Sequence, residues 1–321
     1  MTYGSRLNPT GTTFGVPTAG LKQTSKKSAQ GVNPFIHLHV KASMKLSIVL
    51  VNHNTCSLLK DALNALINAC KNIDYEIVII DNGSTDRSVE MIESDFPQLH
   101  LVVNETNIGI AKASNQGISE CTGEYILLVN PDIICGRDSI IKMCDFMAGH
   151  SDASGLGVRM LSTKGRFLPE SIHGLNKSWA LFFKLIGFAK HLSKTRLYDR
   201  NRKDWVEEFQ ITEVDVLSGD FMMLRRLDLI EADAFDERFF TFGHNIDLCY
   251  RMRLAGYKNY YFPKTYVIHQ ESQPVDKFSW TYFRHFYGSM LIFALKYLLR
   301  VPEIKVQAIP RLVSPSYEVK G

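Results

Sequence analysis

Residues 46–52 read Leu-Ser-Ile-Val-Leu-Val-Asn, "LSIVLVN", and the fold follows from what that run repeats downstream. Apolar side chains occupy both alternating faces, as in a strand that is covered on both sides. The run stops at polar Asn52-His53-Asn54. Residues 57–71 then place apolar side chains at 58, 59, 62, 63, 66, 67 and 70, the spacing of one helix face. Glu76–Asp81 (EIVIID) is a second strand, after which Thr85 or Asp86 caps a short helix. Leu101–Val103, a helix over about 110–119, Tyr125–Asn130 (YILLVN) and a helix at 138–148 continue the alternation. This repetition predicts an α/β fold, a mainly parallel sheet flanked by helices on both faces.

After Leu161 the pattern changes. Residues 177–190 form an amphipathic aromatic helix and run into basic "KTRLYDRNRK" (194–203), with eight Lys/Arg against one acid over 177–203. That segment reads either as a mobile loop or a membrane contact, or as a helix packed on the sheet edge. Strands at Val214–Ser218, Phe221–Arg225, Tyr260–Phe262 and Tyr266–His269 follow, with helices near 226–232 and 245–255. A last helix spans 278–300, and 301–321 reads as a loose tail. Residues 1–43 lack periodicity and read as a flexible extension, with Met44 a candidate start.

Composition is that of an ordinary globular chain, 45% hydrophobic and 22% charged, with a net charge of +4. Arg6, Lys22, Lys26, Lys27 and Lys41 lie in the extension, which has no acid, so the folded part is nearly neutral. That balance argues against nucleic acid as a partner. Six cysteines form no CxxC pair and read as reduced, buried thiols of a cytoplasmic protein. No apolar run is long enough to span a bilayer.

In such sheets ligands bind outside the carboxyl ends of the strands. Three of those ends are polar: Asn52-His53-Asn54, Asp81-Asn82-Gly83-Ser84-Thr85-Asp86 and Asn130-Pro131-Asp132. Each alone is an ordinary turn, but three at one sheet edge point to a site. A carboxylate such as Asp81 suits a base or ribose, and Asp132 suits a divalent cation, which takes oxygen ligands. Between them, "NIGIAKASNQG" (107–117) has small residues that let a helix N-terminus approach an anion or pack tightly on the sheet.

"SIVLVNHN", "IVIIDNGSTD", "NIGIAKASNQGI", "YILLVNPD", "SGDFMMLRR", "FDERFF…IDLCYRMRLAGY" and "VIH" occur in that order over residues 44–300. Together they resemble the family 2 glycosyltransferases of GT-A fold, in particular the rhamnosyltransferase-like branch of bacterial polysaccharide synthesis. The resemblance implies a Rossmann-like domain over 44–275, with a nucleotide-sugar half (44–160), a smaller acceptor half (161–275), and a C-terminal helix and tail (276–321). It implies an inverting transfer from a nucleoside-diphosphate sugar to a saccharide or lipid-linked acceptor, aided by Mg²⁺ or Mn²⁺. Such an enzyme would work in the cytoplasm or at the inner face of the membrane. By motif, Asn54, Asp81, Asn82, Asn107, Gly109 and Asn130 would bind the nucleotide sugar, while Asp132 and His269 would hold the metal.

One position departs. Relatives open the helix after "FF" with Glu-Asp-x-Asp and use the second acid as general base; here the residues are His244-Asn245-Ile246-Asp247. A neutral amide has no useful basicity near pH 7. His244, Asp220 of "SGDF" and Asp247 are the candidates to replace it, Asp220 reading otherwise as a solvated strand-end acid and Asp247 as an orienting or capping residue. The "VIH" histidine is followed by Gln270-Glu271-Ser272-Gln273-Pro274, where relatives have a glycine-containing loop. The alternative is a catalytically impaired relative that binds nucleotide sugar or a partner enzyme.

Overall fold

A computed structural model describes residues 45–173, 177–186, 208–270 and 279–299. The expected extension (1–43), the basic stretch 187–203, the loop 271–278 and the tail 301–321 fall outside the described residues. The first half alternates as its pattern dictates: β1 (Lys45–Asn52), α1 (Cys56–Ala69), β2 (Asp74–Asp81), α2 (Ser88–Asp95), β3 (His100–Val103), α3 (Ile110–Ser119) and β4 (Tyr125–Val129). Then come β5 (Ile133–Cys135), α4 (Ser139–Gly149), β6 (Ala153–Ser162), α5 (Glu170–His173) and α6 (Lys177–Leu185). The described chain ends with β7 (Thr212–Val214), β8 (Phe221–Arg225), α7 (Arg226–Glu231), α8 (His244–Leu254), β9 (Lys258–His269) and α9 (Trp280–Ala294), which continues as a π-helical turn at Leu295–Leu299.

Among the described residues, nine strands join one sheet in the order β3-β2-β1-β4-β8-β6-β9-β5, with β7 on β9. β3, β2, β1 and β4 are parallel. Beyond β4 the sheet becomes mixed, because β8 pairs antiparallel with both β4 and β6. Burial explains the unbroken apolar strands. Leu46, Ile48 and Leu50 pack with Leu59, Leu63 and Leu66 of α1 on one face. Val49, Val78 and Ile80 pack with Ala111 and Ala113 of α3 on the other. Gly117 brings α3 close to the sheet, since a Cβ there would lie 2.4 Å from Val49 Cγ1. Each such buried Leu or Val contributes about 1.5–3 kcal/mol.

The second half shows where pattern misleads. β6 is absent from the sequence reading because Ser154, Gly155 and Gly157 break its apolar run. Gly155 is required there, as a Cβ would lie 2.3 Å from Asn259 Oδ1. The two strands expected at 260–262 and 266–269 are one strand, β9, with the irregularity at Pro263–Thr265 taken up as a register shift against β6. The strand expected at Val214–Ser218 stops at Val214. Residues 215–220 run on as non-strand chain, which matters for the site.

Candidate active site

β-Pairing assembles the site from residues far apart in sequence. β5 pairs antiparallel with β9 and aligns Ile133 with His269. This brings His269 Nε2 to 3.2 Å from Asp132 Oδ2, across 137 positions of chain. The Asp132 carboxylate holds the His269 imidazole above its usual pKa. The other oxygen, Asp132 Oδ1, is buried and has no hydrogen-bond partner among the described residues. β4 pairs with β8 and aligns Val129 with Phe221. The next residues out, Asn130 and Asp220, are joined twice: Asn130 N donates to Asp220 O at 2.9 Å and Asn130 Nδ2 to Asp220 Oδ1 at 2.8 Å.

Asp220 is therefore not the solvated strand-end acid that its position in the sequence suggested. It is half-buried, accepts a 2.8 Å bond from Ser218 Oγ on its other oxygen, and lines a cleft of about 300 Å³. Burial pushes its carboxyl up from the usual range, with the charges of Asp132 and Glu170 acting in the same sense. The same cleft is lined by Asn130, Glu170, Trp179, His244 and Asn245.

The first turn of α8 forms the opposite wall. Gly243 starts the helix at φ +81°, and a Cβ there would sit 2.7 Å from Trp179. Asn245 Nδ2 donates to Leu217 O at 2.8 Å, and one turn later Cys249 Sγ accepts from Leu217 N at 3.4 Å. Two residues at helical i, i+4 spacing thus stitch α8 to the chain leading into Asp220. His244 is buried with Nδ1 unpartnered among the described residues, and burial pushes its pKa down to about 4. Asp247 faces away from the cleft. It is fully buried, accepting from Arg251 Nε at 2.8 Å, Lys296 Nζ at 2.7 Å and Tyr297 OH at 2.7 Å. It fastens the end of α9 to α8.

The polar residues at the ends of β1 and β2 form a second network. Asp81 is fully buried, with Oδ1 accepting from Asn52 Nδ2 at 2.8 Å and Oδ2 from Ser84 N at 2.9 Å. It shapes the loop 82–86 instead of presenting a bare carboxylate. Asn54, at φ +55°, accepts from Thr85 N at 2.7 Å and Asp86 N at 3.2 Å. Asn82 Nδ2 donates to Asn107 Oδ1 at 3.0 Å, and Asn107 Oδ1 also accepts from Gly109 N at 3.0 Å. Gly109 has φ +89°, and a Cβ there would meet Phe240 Cδ2 at 2.8 Å; Ile110 N donates to Phe240 O at 2.7 Å. Tight packing explains this glycine, and through it the loop before α3 touches the "FFTFG" turn before α8. Glu170, Trp179 and Ser218 escaped the sequence reading. Only the serine beside Asp220 carried a local signal.

Asp132 and His269 fit a divalent cation. One carboxylate oxygen is buried without a proton donor, and among the described residues no third His, Cys, Asp or Glu completes a protein-only cage. Cations that act on nucleotides are commonly held by one or two protein groups plus phosphate oxygens.

A parallel half, joined through its "NPD" strand end to a mixed half with a carboxylate-bearing cleft, has the GT-A fold of the solved structures similar to it. Residues 47–209 match the family described as Glycosyl transferase family 2, and the chain belongs to that family as a rhamnosyltransferase-like glycosyltransferase. It is 24% identical over 213 residues to the N-acetylglucosaminyl-diphospho-decaprenol L-rhamnosyltransferase of Mycobacterium tuberculosis, covering 63% of this chain and 68% of that one. Identity to rhamnosyltransferase WbbL of Escherichia coli K12 is 27% over 233 residues, covering 69% and 82%. In fold it is similar to Staphylococcus aureus TarS 1–349 in complex with UDP-GlcNAc (TM-score 0.55, 18% identity, 81% of this chain and 68% of that chain). A second similar structure is mannosyltransferase PcManGT from Pyrobaculum calidifontis with GDP-Man and Mn²⁺ (TM-score 0.52, 15% identity, 80% and 65%). The chain spans 41% of a longer TarS structure. No helix among the described residues is long and apolar enough to cross a membrane.

Proposed function

We propose that this glycosyltransferase transfers a sugar with inversion from a nucleoside-diphosphate donor to a hydroxyl of a saccharide or lipid-linked acceptor. The acceptor belongs to cell-surface polysaccharide synthesis, and Asp220 takes its proton. The observation that carries this reading is the state of the four candidate groups. Asn245 spends its amide on Leu217 O, Asp247 is saturated by Arg251, Lys296 and Tyr297, and His244 is held weakly basic by burial. Asp220 alone of the four is a carboxylate at the cleft with a raised pKa. A base whose pKa is lifted toward neutrality removes a hydroxyl proton more effectively than an ordinary aspartate. The binding-only alternative loses its motive once the cleft has its own acid.

The loops held by Asn54, Asp81, Asn82 and Asn107 cradle the nucleotide, with Asn130 and Gly109 setting the boundary toward the sugar. Asp132 and His269 hold Mg²⁺ or Mn²⁺, which when bound neutralises charge on the departing diphosphate. Asn130 and Ser218 keep Asp220 aimed into the cleft through their hydrogen bonds. Donor supply favours work in the cytoplasm with peripheral contact at the inner face of the membrane.

The test is transfer and donor hydrolysis with a panel of nucleotide sugars and Mn²⁺. Asp220→Asn is expected to lower kcat by about 10²- to 10⁴-fold, with donor affinity by calorimetry unchanged. An Asp220→Asn enzyme with wild-type kcat would remove Asp220 from the reaction.

A further inference from the structure

We infer that His244 recognises a hydroxyl of the transferred sugar, as a neutral hydrogen-bonding group in the wall of the cleft. His244 is 8% exposed, yet its Nδ1 has no hydrogen-bond partner among the described residues. The Thr241 carbonyl partly offsets the burial of the ring but makes no hydrogen bond of ordinary geometry with Nδ1. Phe235 packs edge-on against the imidazole, with centroids 5.2 Å apart, and orients the ring without a polar contact. Leaving a buried polar group unpaired destabilises a fold, so a group kept that way calls for a partner that arrives from outside.

Position says which partner. His244 lines both the cleft and a smaller adjoining recess of about 10 Å³, and Ile110, Asn130 and Gly219 are common to the two. The recess reaches Val49 and Val51 of β1, Val129 of β4 and Ser114 of α3, all in the parallel half. Asp220 lines the cleft but not the recess. His244 Nε2 faces Gly219, where a Cβ would lie 3.4 Å from it. The recess has room for about one water and none for a sugar ring, so a sugar lies in the cleft against the imidazole.

The transferred group must sit between the nucleotide loops of the parallel half and Asp220, and His244 stands at that junction. This places His244 on the donor sugar and not on the acceptor, an assignment that rests on the transferase reading above. A neutral imidazole has one N–H and one lone-pair nitrogen, so it pairs with a hydroxyl as donor or as acceptor. Burial keeps His244 in that form, its pKa pushed down to about 4, and the contact holds unchanged through the neutral range.

The experiment is calorimetry on the full chain with Mn²⁺, comparing the nucleotide sugar that binds most tightly in a panel with its nucleoside diphosphate alone. His244→Phe keeps a ring against Phe235 and removes both nitrogens. It is expected to bind the nucleotide sugar roughly three- to tenfold more weakly, as for one neutral hydrogen bond, with affinity for the nucleoside diphosphate unchanged. His244→Gln again offers a donor and an acceptor and should recover most of the loss. Among monodeoxy analogues of the donor, the one that binds the wild type more weakly should bind His244→Phe no worse than the parent sugar does. The urea midpoint of His244→Phe should match or exceed that of the wild type, since the variant buries no unpaired nitrogen. His244→Val, smaller than histidine, makes the same comparisons should the phenyl ring not fit.

Equal affinity of wild type and His244→Phe for the nucleotide sugar would overturn this inference and leave the transferase reading standing. So would an equal loss toward nucleotide sugar and nucleoside diphosphate, which would make His244 a support of the nucleotide loops. A raised acceptor KM with donor affinity intact would move the contact to the acceptor and overturn it too. A wild type that binds no nucleotide sugar at all would sink the transferase reading, and this inference with it.

Discussion

Asn245→Asp restores the acid that relatives place at the general-base position, and the structure predicts that it damages this protein. Asn245 Nδ2 donates to Leu217 O at 2.8 Å in a buried setting. An ionised aspartate has no proton to donate, so a bond contributing about 1 kcal/mol is lost and a buried carbonyl is orphaned at a further cost of about 1–3 kcal/mol. The new charge also enters a cleft where Asp220 already feels the charges of Asp132 and Glu170. The sum is about 2–4 kcal/mol, or roughly 4–16 °C in Tm for a domain of this size. If the new aspartate instead keeps a proton to satisfy Leu217 O, stability is spared but the group cannot act as a base. Scanning calorimetry and transfer assays on the same preparation separate the two branches, and in neither does kcat rise. An Asn245→Asp protein as stable as wild type and faster in transfer would refute both the local geometry and the role of Asp220.

Three further outcomes are expected. His244, with its pKa pushed from about 6.5 down to about 4, stays neutral in the folded protein while the unfolded chain takes up the proton. Stability should therefore fall by about 3 kcal/mol as pH drops from about 6.5 to 4, and urea midpoints across that window should flatten in His244→Gln. Asp247→Asn removes the carboxylate shared by Arg251 and Lys296, leaving Lys296 with Asp236 alone, and should cost about 3 kcal/mol in denaturant unfolding. Mn²⁺ with nucleoside diphosphate is expected to raise the melting temperature of the wild type, and Asp132→Ala should abolish that shift; the same shift in the variant would place the cation elsewhere.

The parallel half was legible because its strands are buried on both faces, and a continuous apolar run such as Ile77–Ile80 has few other readings. The strand-end motifs were legible for the same reason, since polar residues after such runs must lie at the sheet edge. The mixed half was not. Glycines and serines replace apolar residues in β6, where backbone approach to Asn259 and Leu217 leaves no room for side chains. Asp220 looked solvated because one residue's burial depends on β4–β8 pairing, which no local pattern encodes. Asp247 and Asn245 share one helical turn and motif, yet one faces a cation network and the other a backbone carbonyl. Their partners come from α9 and from the chain after β7, respectively, beyond the reach of periodicity.

The run from Leu217 to Asp220 also constrains the history of the site. Gly219 lies over α8, a Cβ on it coming 3.4 Å from Asn245 Cβ, so positions 220 and 245 border one small cleft. A lineage that exchanged one acid for the other passed through a form with both or a form with neither. With both, two carboxylates in one cleft hold a proton between them and retain a weakened base. With neither, and Asp220 in its proposed role, the acceptor would have nothing to accept its proton. The passable order is the acid at 220 first and the amide at 245 second. Chains carrying both acids are the expected halfway form, and chains carrying neither are the expected dead end.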